Sequence, residues 1–568
     1  MLHLIGDING LQYSLGKQRR EKNDLADKRQ GRTKSANNTW NVAFYPYQIY
    51  AKRDKRSSIS FGSSDGIRSA LVNSKLDMIE GLLPISSIQY DVKLQEAEEL
   101  FLHCKFDGAF EIFNTLGEKG NGRAMYFLGE YYSQPYGNVN INSEKAKKWR
   151  EAGRDAGDVL AALNVAYSLL KDSEERTIIF NQTFESVLQL AETGDVFAQS
   201  EVADLFKNGD GISKNSAESI KWLEKSADQG YWRSMNKLAN LYKNGFEVEQ
   251  NYQKAINWYM KSYELGNGDA ANAIGNMYYS GSGVEKDFEE AVKWYRKSAE
   301  CGYNWGMSNL GNMYYNGEGV KKDFEEAAKW YRKSAELGNG NAANAIGNMY
   351  YSGKGVGKNF KEAAKWYRKS AECGHNWGMC NLADLYKDGE GVERDYGEAM
   401  KWYKKAYELG NGTAANRLGL MYENGRGIEK DLVESAKWYR KSAECGYNWG
   451  MYNLAIAYKN GEGVERDYGE AMKWYKKAYD LGNGDAANQI GIMYANGRGV
   501  AKNYAEAAKW YKKSADAGFD WGKYNLAKLY ERGQGVEKND AIACELYMHC
   551  HLKEARERLD AMFDEMFK

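Results

Sequence analysis

The chain has 568 residues, 78 Lys and Arg against 78 Asp and Glu, 60 glycines and 3 prolines. Zero net charge leaves no overall field to gather nucleic acid or an anionic membrane, and no apolar run approaches the roughly 18 residues of a membrane-crossing helix. Residues 1–20 lack the basic start and apolar stretch of a secretory signal, so a cytoplasmic protein is expected.

Residues 1–90 stand apart. Residues 1–60 carry twelve Lys and Arg against five Asp and Glu. Residues 18–39 are polar enough to be disordered, and the aromatic stretch 44–50 suits an extended strand or a docking segment. This segment is a possible route to self-association. From residue 91 onward the pattern is helical, and no proline follows Pro135.

The dominant feature is a period of 36. Tryptophan stands at 222, 258, 294, 330, 366, 402, 438, 474 and 510, and a glycine closes each unit from Gly230 to Gly518. Within one unit, Ala270, Ile274, Met277 and Tyr278 fall on one helical face. Gly275 sits inside that helix at a cost of up to about 1 kcal/mol, which a close helix–helix approach would offset. Gly281 and Gly283 follow, free to take positive φ. Asp287 then caps a second helix, with Glu290 placed to reach back to it. That helix turns Ala291, Trp294, Tyr295 and Ala299 inward, and Lys293, Arg296 and Lys297 mostly outward. Two helices of about three turns cannot bury their apolar faces alone, so each unit needs neighbours.

The motif Leu310-Gly311-Asn312-Met313-Tyr314, Gly317-Glu318-Gly319-Val320, Asp323, Ala327, Trp330-Tyr331, Ala335 and Gly338 resembles the Sel-one-like repeat (SLR), a relative of the tetratricopeptide repeat. The resemblance covers residues 195–553 well and 120–194 in degraded form. It implies an all-α fold: a right-handed α/α superhelix of about twelve 36-residue helix–turn–helix repeats. Residues 91–119 read as a looser tetratricopeptide-like starting pair, 120–553 as the solenoid and 554–568 as a polar capping helix.

Motifs that suggest chemistry have plainer readings. Gly266-Asn267-Gly268-Asp269-Ala270-Ala271 matches a dinucleotide fingerprint, but it follows a helix where such a site needs a strand. The GxGV loop sets a carboxylate where a phosphate would bind. Cys544, His549, Cys550 and His551 are read as lying in one terminal helix without the paired spacing of a zinc site. Cys301, Cys373 and Cys445 recur every 72 residues, and a small buried residue is expected there. Glu289, Glu290 and Glu300 are expected to offset the basic face with salt bridges. No catalytic residue, cofactor or metal is assigned.

One feature exceeds scaffolding. Units alternate, and every second one opens on an aromatic or His, then Asn/Asp-Trp-Gly. This sets Trp305 and Asn309, Trp377 and Asn381, Trp449 and Asn453, and Trp521 and Asn525 four residues apart on first helices. Such helices line the concave face of tetratricopeptide-like stacks, and Trp-Asn ladders in armadillo proteins clamp extended peptides; the likeness is one of analogy. Two readings stay open: a peptide-binding ladder, or tryptophan filling space beside the small residue of the adjacent unit. SLR proteins commonly serve as adaptors, so a non-enzymatic scaffold binding a protein or peptide is expected. An SLR-type β-lactam-binding hydrolase and nucleic-acid binding through the basic N-terminal arm are the alternatives.

Overall fold

Helices follow the 36-residue beat of the sequence. In a computed structural model, which describes residues 92–566 apart from 135, 138, 140 and 172, there are 27 helices and, among the described residues, no strand. The expectations for residues 1–90 lie outside the described residues. Thirteen helix pairs stack in chain order, and a last helix, Lys553–Met566, closes the array.

The unit at 268 shows why the chain folds this way. Asn267 Oδ1 accepts from the Asp269 amide at 2.9 Å and starts the first helix, Gly268–Ser280. Gly281 and Gly283 turn the chain at φ 73° and 76°, values that a side chain would oppose. Asp287 Oδ1 then accepts from the Glu290 amide at 2.9 Å, capping the second helix, Phe288–Glu300. The Glu290 carboxylate does not reach back to the cap. It takes Lys293 Nζ at 2.8 Å instead, one turn further along the exposed face.

Gly275 allows the two helices to close. A Cβ there would lie 2.7 Å from the Tyr295 ring, while the Tyr295 hydroxyl donates to Asn276 Oδ1 at 2.8 Å. Gly311 with Tyr331 and Gly347 with Tyr367 repeat the arrangement, their hydroxyls bonding Asn312 at 2.6 Å and Asn348 at 2.7 Å. Ser298, fully buried, donates to the Gly268 carbonyl at 2.6 Å and ties the second helix to the start of the first. The same serine leaves no room for a side chain at Gly306 in the next unit.

Trp294 is buried, and Lys297 Nζ sits 3.8 Å above its ring. A lysine occupies that place in all nine tryptophan units, its ammonium over the indole face. Burial of Ala291, Ile274, Met277 and Tyr295 makes each unit's core continuous with its neighbours.

Two further expectations are corrected. Cys301, Cys373 and Cys445 are exposed, because each sits beyond the last turn of its second helix, directly before the left-handed glycine. Only Cys544 of the terminal cysteine–histidine group is helical; His549, Cys550 and His551 lie in and after the cap that follows Met548. All seven cysteines are free thiols.

Candidate protein-binding surface

The 72-residue alternation has a structural counterpart. First helices touch in twos: Gly268–Ser280 meets Asn304–Asn316, Gly340–Ser352 meets Asn376–Asp388, Gly412–Asn424 meets Asn448–Asn460, and Gly484–Asn496 meets Asp520–Arg532. Asparagine pairs hold these twos together. Asn309 Nδ2 donates to Asn272 Oδ1 at 2.8 Å, Asn381 to Asn344 at 2.8 Å, Asn453 to Asn416 at 2.9 Å and Asn525 to Asn488 at 2.8 Å. The acceptor is each time the last residue of the Asn-Gly-x-Ala-Ala-Asn opening. These amides therefore have a role between units.

The tryptophans four residues earlier are left largely bare. Trp305, Trp377, Trp449 and Trp521 are 44, 49, 41 and 45 % exposed. Each is the second residue of its helix. The residue before it fixes where that helix starts: Asn304 Nδ2 donates to the Leu337 carbonyl at 2.9 Å, Asn376 to Leu409 and Asn448 to Leu481, both at 3.0 Å. Trp305, Trp377 and Trp449 thus each follow a residue bound to the end of a second helix. The four tryptophan helices open on an aromatic or His. Tyr303, Tyr447 and Phe519 make no side-chain cap bond, whereas His375 Nδ1 accepts from the Gly378 amide at 3.3 Å. Burial pulls the His375 ring down to a pKa of about 4.

In the first units the same strip is covered by the chain itself. Phe197 and Arg233 occupy the register position of Trp305, three and two units earlier. The helix Val92–Leu102 packs on Phe197 and on Trp232, the neighbour of Arg233. Phe101 packs its ring 6.2 Å from both Phe197 and Trp232, and its carbonyl accepts from Trp232 Nε1 at 3.3 Å. Glu98 takes Arg123 Nε at 2.9 Å, and Arg123 also pairs with Asp195, the cap of the helix carrying Phe197. The helix ends beside Gly266, where a Cβ would stand 3.5 Å from the His103 carbonyl oxygen. The first helices of these units also hold a charged cluster. Burial raises Glu201 to about 7, helped by Asp204, while Arg233 and Arg150 overcome burial and hold Glu130 below its ordinary value. This self-docking was not readable from the sequence, since residues 92–102 share no repeat signal with the surface they cover.

The remaining motifs fall in structural places. Gly268 packs against the next unit, where a Cβ would lie 2.6 Å from Tyr303 Cβ. Cys550 Sγ donates to the Asp520 carbonyl at 3.4 Å, and His551 Nδ1 lies 3.3 Å from Asp520 Oδ2.

The Sel1 repeat model matches residues 122–158, 196–231, 232–267, 268–303, 306–339, 340–375, 378–411, 412–447, 450–483, 484–519 and 522–547. The helix pair at 159–192, with helices of 10 and 19 residues, is the one unit inside this range left unmatched. Among solved structures, the protective antigen c5321 of uropathogenic Escherichia coli, which displays an SLR fold, is 35% identical over 66% of this chain and 81% of its own, with a TM-score of 0.50. A Sel1 repeat protein from Oxalobacter formigenes is 30% identical over 56% of this chain and 92% of its own, with a TM-score of 0.46. Cysteine-rich protein B of Helicobacter pylori is 28% identical over 22% of this chain and 96% of its own, with a TM-score of 0.19. No curated protein matches the chain. No helix among the described residues is long and apolar enough to cross a membrane.

Proposed function

The chain belongs to the Sel1 repeat family, and from that premise we propose that it is a non-enzymatic scaffold that holds a peptide or protein segment on the surface of its first helices. Sel1 repeat proteins generally mediate protein–protein interaction. The observation that carries the finer reading is the row of four half-exposed tryptophans at one register position, 72 residues apart. An indole left bare once is ordinary; left bare four times at one position, it makes a periodic apolar surface of the kind that marks interaction sites.

The asparagines take a different part from that of a free clamp. Their amide hydrogens serve the neighbouring unit, so each offers its carbonyl oxygen to a ligand N–H. Neighbouring units in a helical stack are spaced by about 10 Å. Successive tryptophans therefore stand about 20 Å apart, the reach of about six extended residues. A bound segment carries anchors at about that spacing.

The test is selection of an unbiased peptide library on the purified full chain, followed by affinity measurement on Trp377→Ala/Trp449→Ala. Selected peptides are expected to lose about tenfold or more in affinity, as truncating central aromatic anchors does, with the helical circular dichroism unchanged. Peptides that bind both proteins equally would overturn the reading.

A further inference from the structure

We propose that the bare strip beyond residue 268 is a docking surface for an extended, lysine- and arginine-rich segment of a partner protein. This rests on the reading of the chain as a peptide-holding scaffold and names the chemistry of what is held.

The charges of the second helices supply the first reason. Glu290 pairs with Lys293, and the same pair recurs as Glu326–Lys329, Glu362–Lys365, Glu398–Lys401, Glu434–Lys437 and Glu470–Lys473. Ten residues after Glu290 comes another carboxylate, and it too recurs in every unit: Glu300, Glu336, Glu372, Glu408, Glu444 and Asp480. All six are exposed, and among the described residues none of them makes an ion pair. The lysine one turn before each is laid over an indole instead, Lys297 at 3.8 Å from the Trp294 ring and Lys441 at 3.9 Å from that of Trp438. The expected salt-bridge lacing therefore reaches Glu290 and stops short of Glu300.

Position makes these carboxylates costly. Each sits in the last turn of its helix, where the backbone dipole is already negative. A repeated, unpaired, dipole-opposed charge has no role in holding the unit together.

The third reason is adjacency. The bond from Asn304 to the Leu337 carbonyl sets the start of the tryptophan helix against the end of the second helix carrying Glu336. Trp305 thus follows Glu300 by five residues, and its helix begins against the helix end that carries Glu336. Trp377 is related in the same way to Glu372 and Glu408, and Trp449 to Glu444 and Asp480. An indole face between carboxylates is the pair of surfaces that an ammonium or guanidinium group prefers. Three cations of the first helices are engaged by carboxylates of those helices. Arg417 lies 3.5 Å from Asp384, Lys387 lies 3.1 Å from it, and Lys523 holds Asp520 at 3.0 Å. His375, capping its own helix, is kept neutral by burial.

In the first units the same register is occupied with the charges reversed, the carboxylate on the occupant and the cation on the stack. There, Val92–Leu102 fills it with an aromatic anchor, Phe101, and a carboxylate, Glu98, that meets Arg123. Past Gly266 that covering ends and the exposed tryptophans begin.

The experiment uses the full chain and fluorescently labelled polylysine about twenty residues long, with polyglutamate of equal length as control. The parent is expected to bind polylysine and to weaken about tenfold between about 50 and about 300 mM salt. A strip variant carries E300Q, E336Q, E372Q, E408Q, E444Q and D480N. A matched variant carries E290Q, E326Q, E362Q, E398Q, E434Q and E470Q, removing the same charge from the paired positions. The strip variant is expected to lose about tenfold or more, the matched variant about twofold at most, and Trp377→Ala/Trp449→Ala about threefold or more. Equal losses in the two charge variants, or no polylysine binding by the parent, would overturn the proposal. The library selection separates it from the scaffold reading: tryptophan-dependent peptides without basic residues sink this proposal alone, whereas absence of any tryptophan dependence removes both.

Discussion

Asn309 donates its side-chain amide to Asn272 of the preceding unit across 2.8 Å, and the pair recurs only between alternate units. It makes the 72-residue pair of units, more than the single repeat, the closely knit element of the stack. The consequence is local. Asn381→Ala should cost about 1 kcal/mol, the net worth of one hydrogen bond. Hydrogen exchange should show the loss in both first helices of that pair, 340–352 and 376–388, and little in 412–424. Loss spread evenly along the chain would contradict this.

Trp438 and Trp449 are both indoles within one unit's length of each other, yet truncation should cost very different amounts at the two. Trp438 is 8 % exposed and roofed by Lys441, whereas Trp449 is 41 % exposed. Trp438→Ala should cost about 3–5 kcal/mol through the cavity it leaves. Trp449→Ala should cost about 1 kcal/mol or less, because half its surface is already in water. Denaturant titration with hydrogen exchange as the local readout distinguishes them, since units and interfaces add along such an array.

Gly347→Ala tests the tyrosine–glycine contact. The added methyl would stand 2.6 Å from the Tyr367 ring. Overpacking of about 1–3 kcal/mol should outweigh the gain in helix propensity of about 1 kcal/mol. Gly397→Ala, at the exposed start of a second helix where Ala505 stands three units later, is the control. It should leave stability level or improve it.

The pH response of one unit follows from His375. Its folded pKa near 4 lies below the ordinary 6.5 because burial disfavours the charged ring. The native state then binds fewer protons than the unfolded chain. Stability from this group is complete above pH 6.5 and is lost as pH falls toward 4, by up to about 3 kcal/mol. His375→Tyr, the residue at Tyr303 and Tyr447, should reduce that loss. Urea midpoints at pH 7 and pH 4 for both proteins check it; identical pH slopes would count against a buried neutral imidazole.

The 36-residue recurrence of Trp, Asp or Asn, and Gly determined the helix pairs, their caps and their stacking, because capping, positive φ and amphipathic spacing are local properties that a sequence displays directly. Gly275 was readable as a close approach for the same reason. The tryptophan ladder was visible too, though not whether Trp305 was packed or bare. The acidic row at Glu300, Glu336 and Glu372 was present at the same spacing, but its lack of partners was not, since Lys297 lies within helical reach and only its position on Trp294 removes it. Cys301 looked like a buried small residue until the helix end placed it outside. Pairing of Asn309 with Asn272, and the covering of Phe197 by Phe101, were decided by tertiary structure alone. Both join residues whose mutual distance depends on how whole units rotate and stack, and no local pattern encodes that.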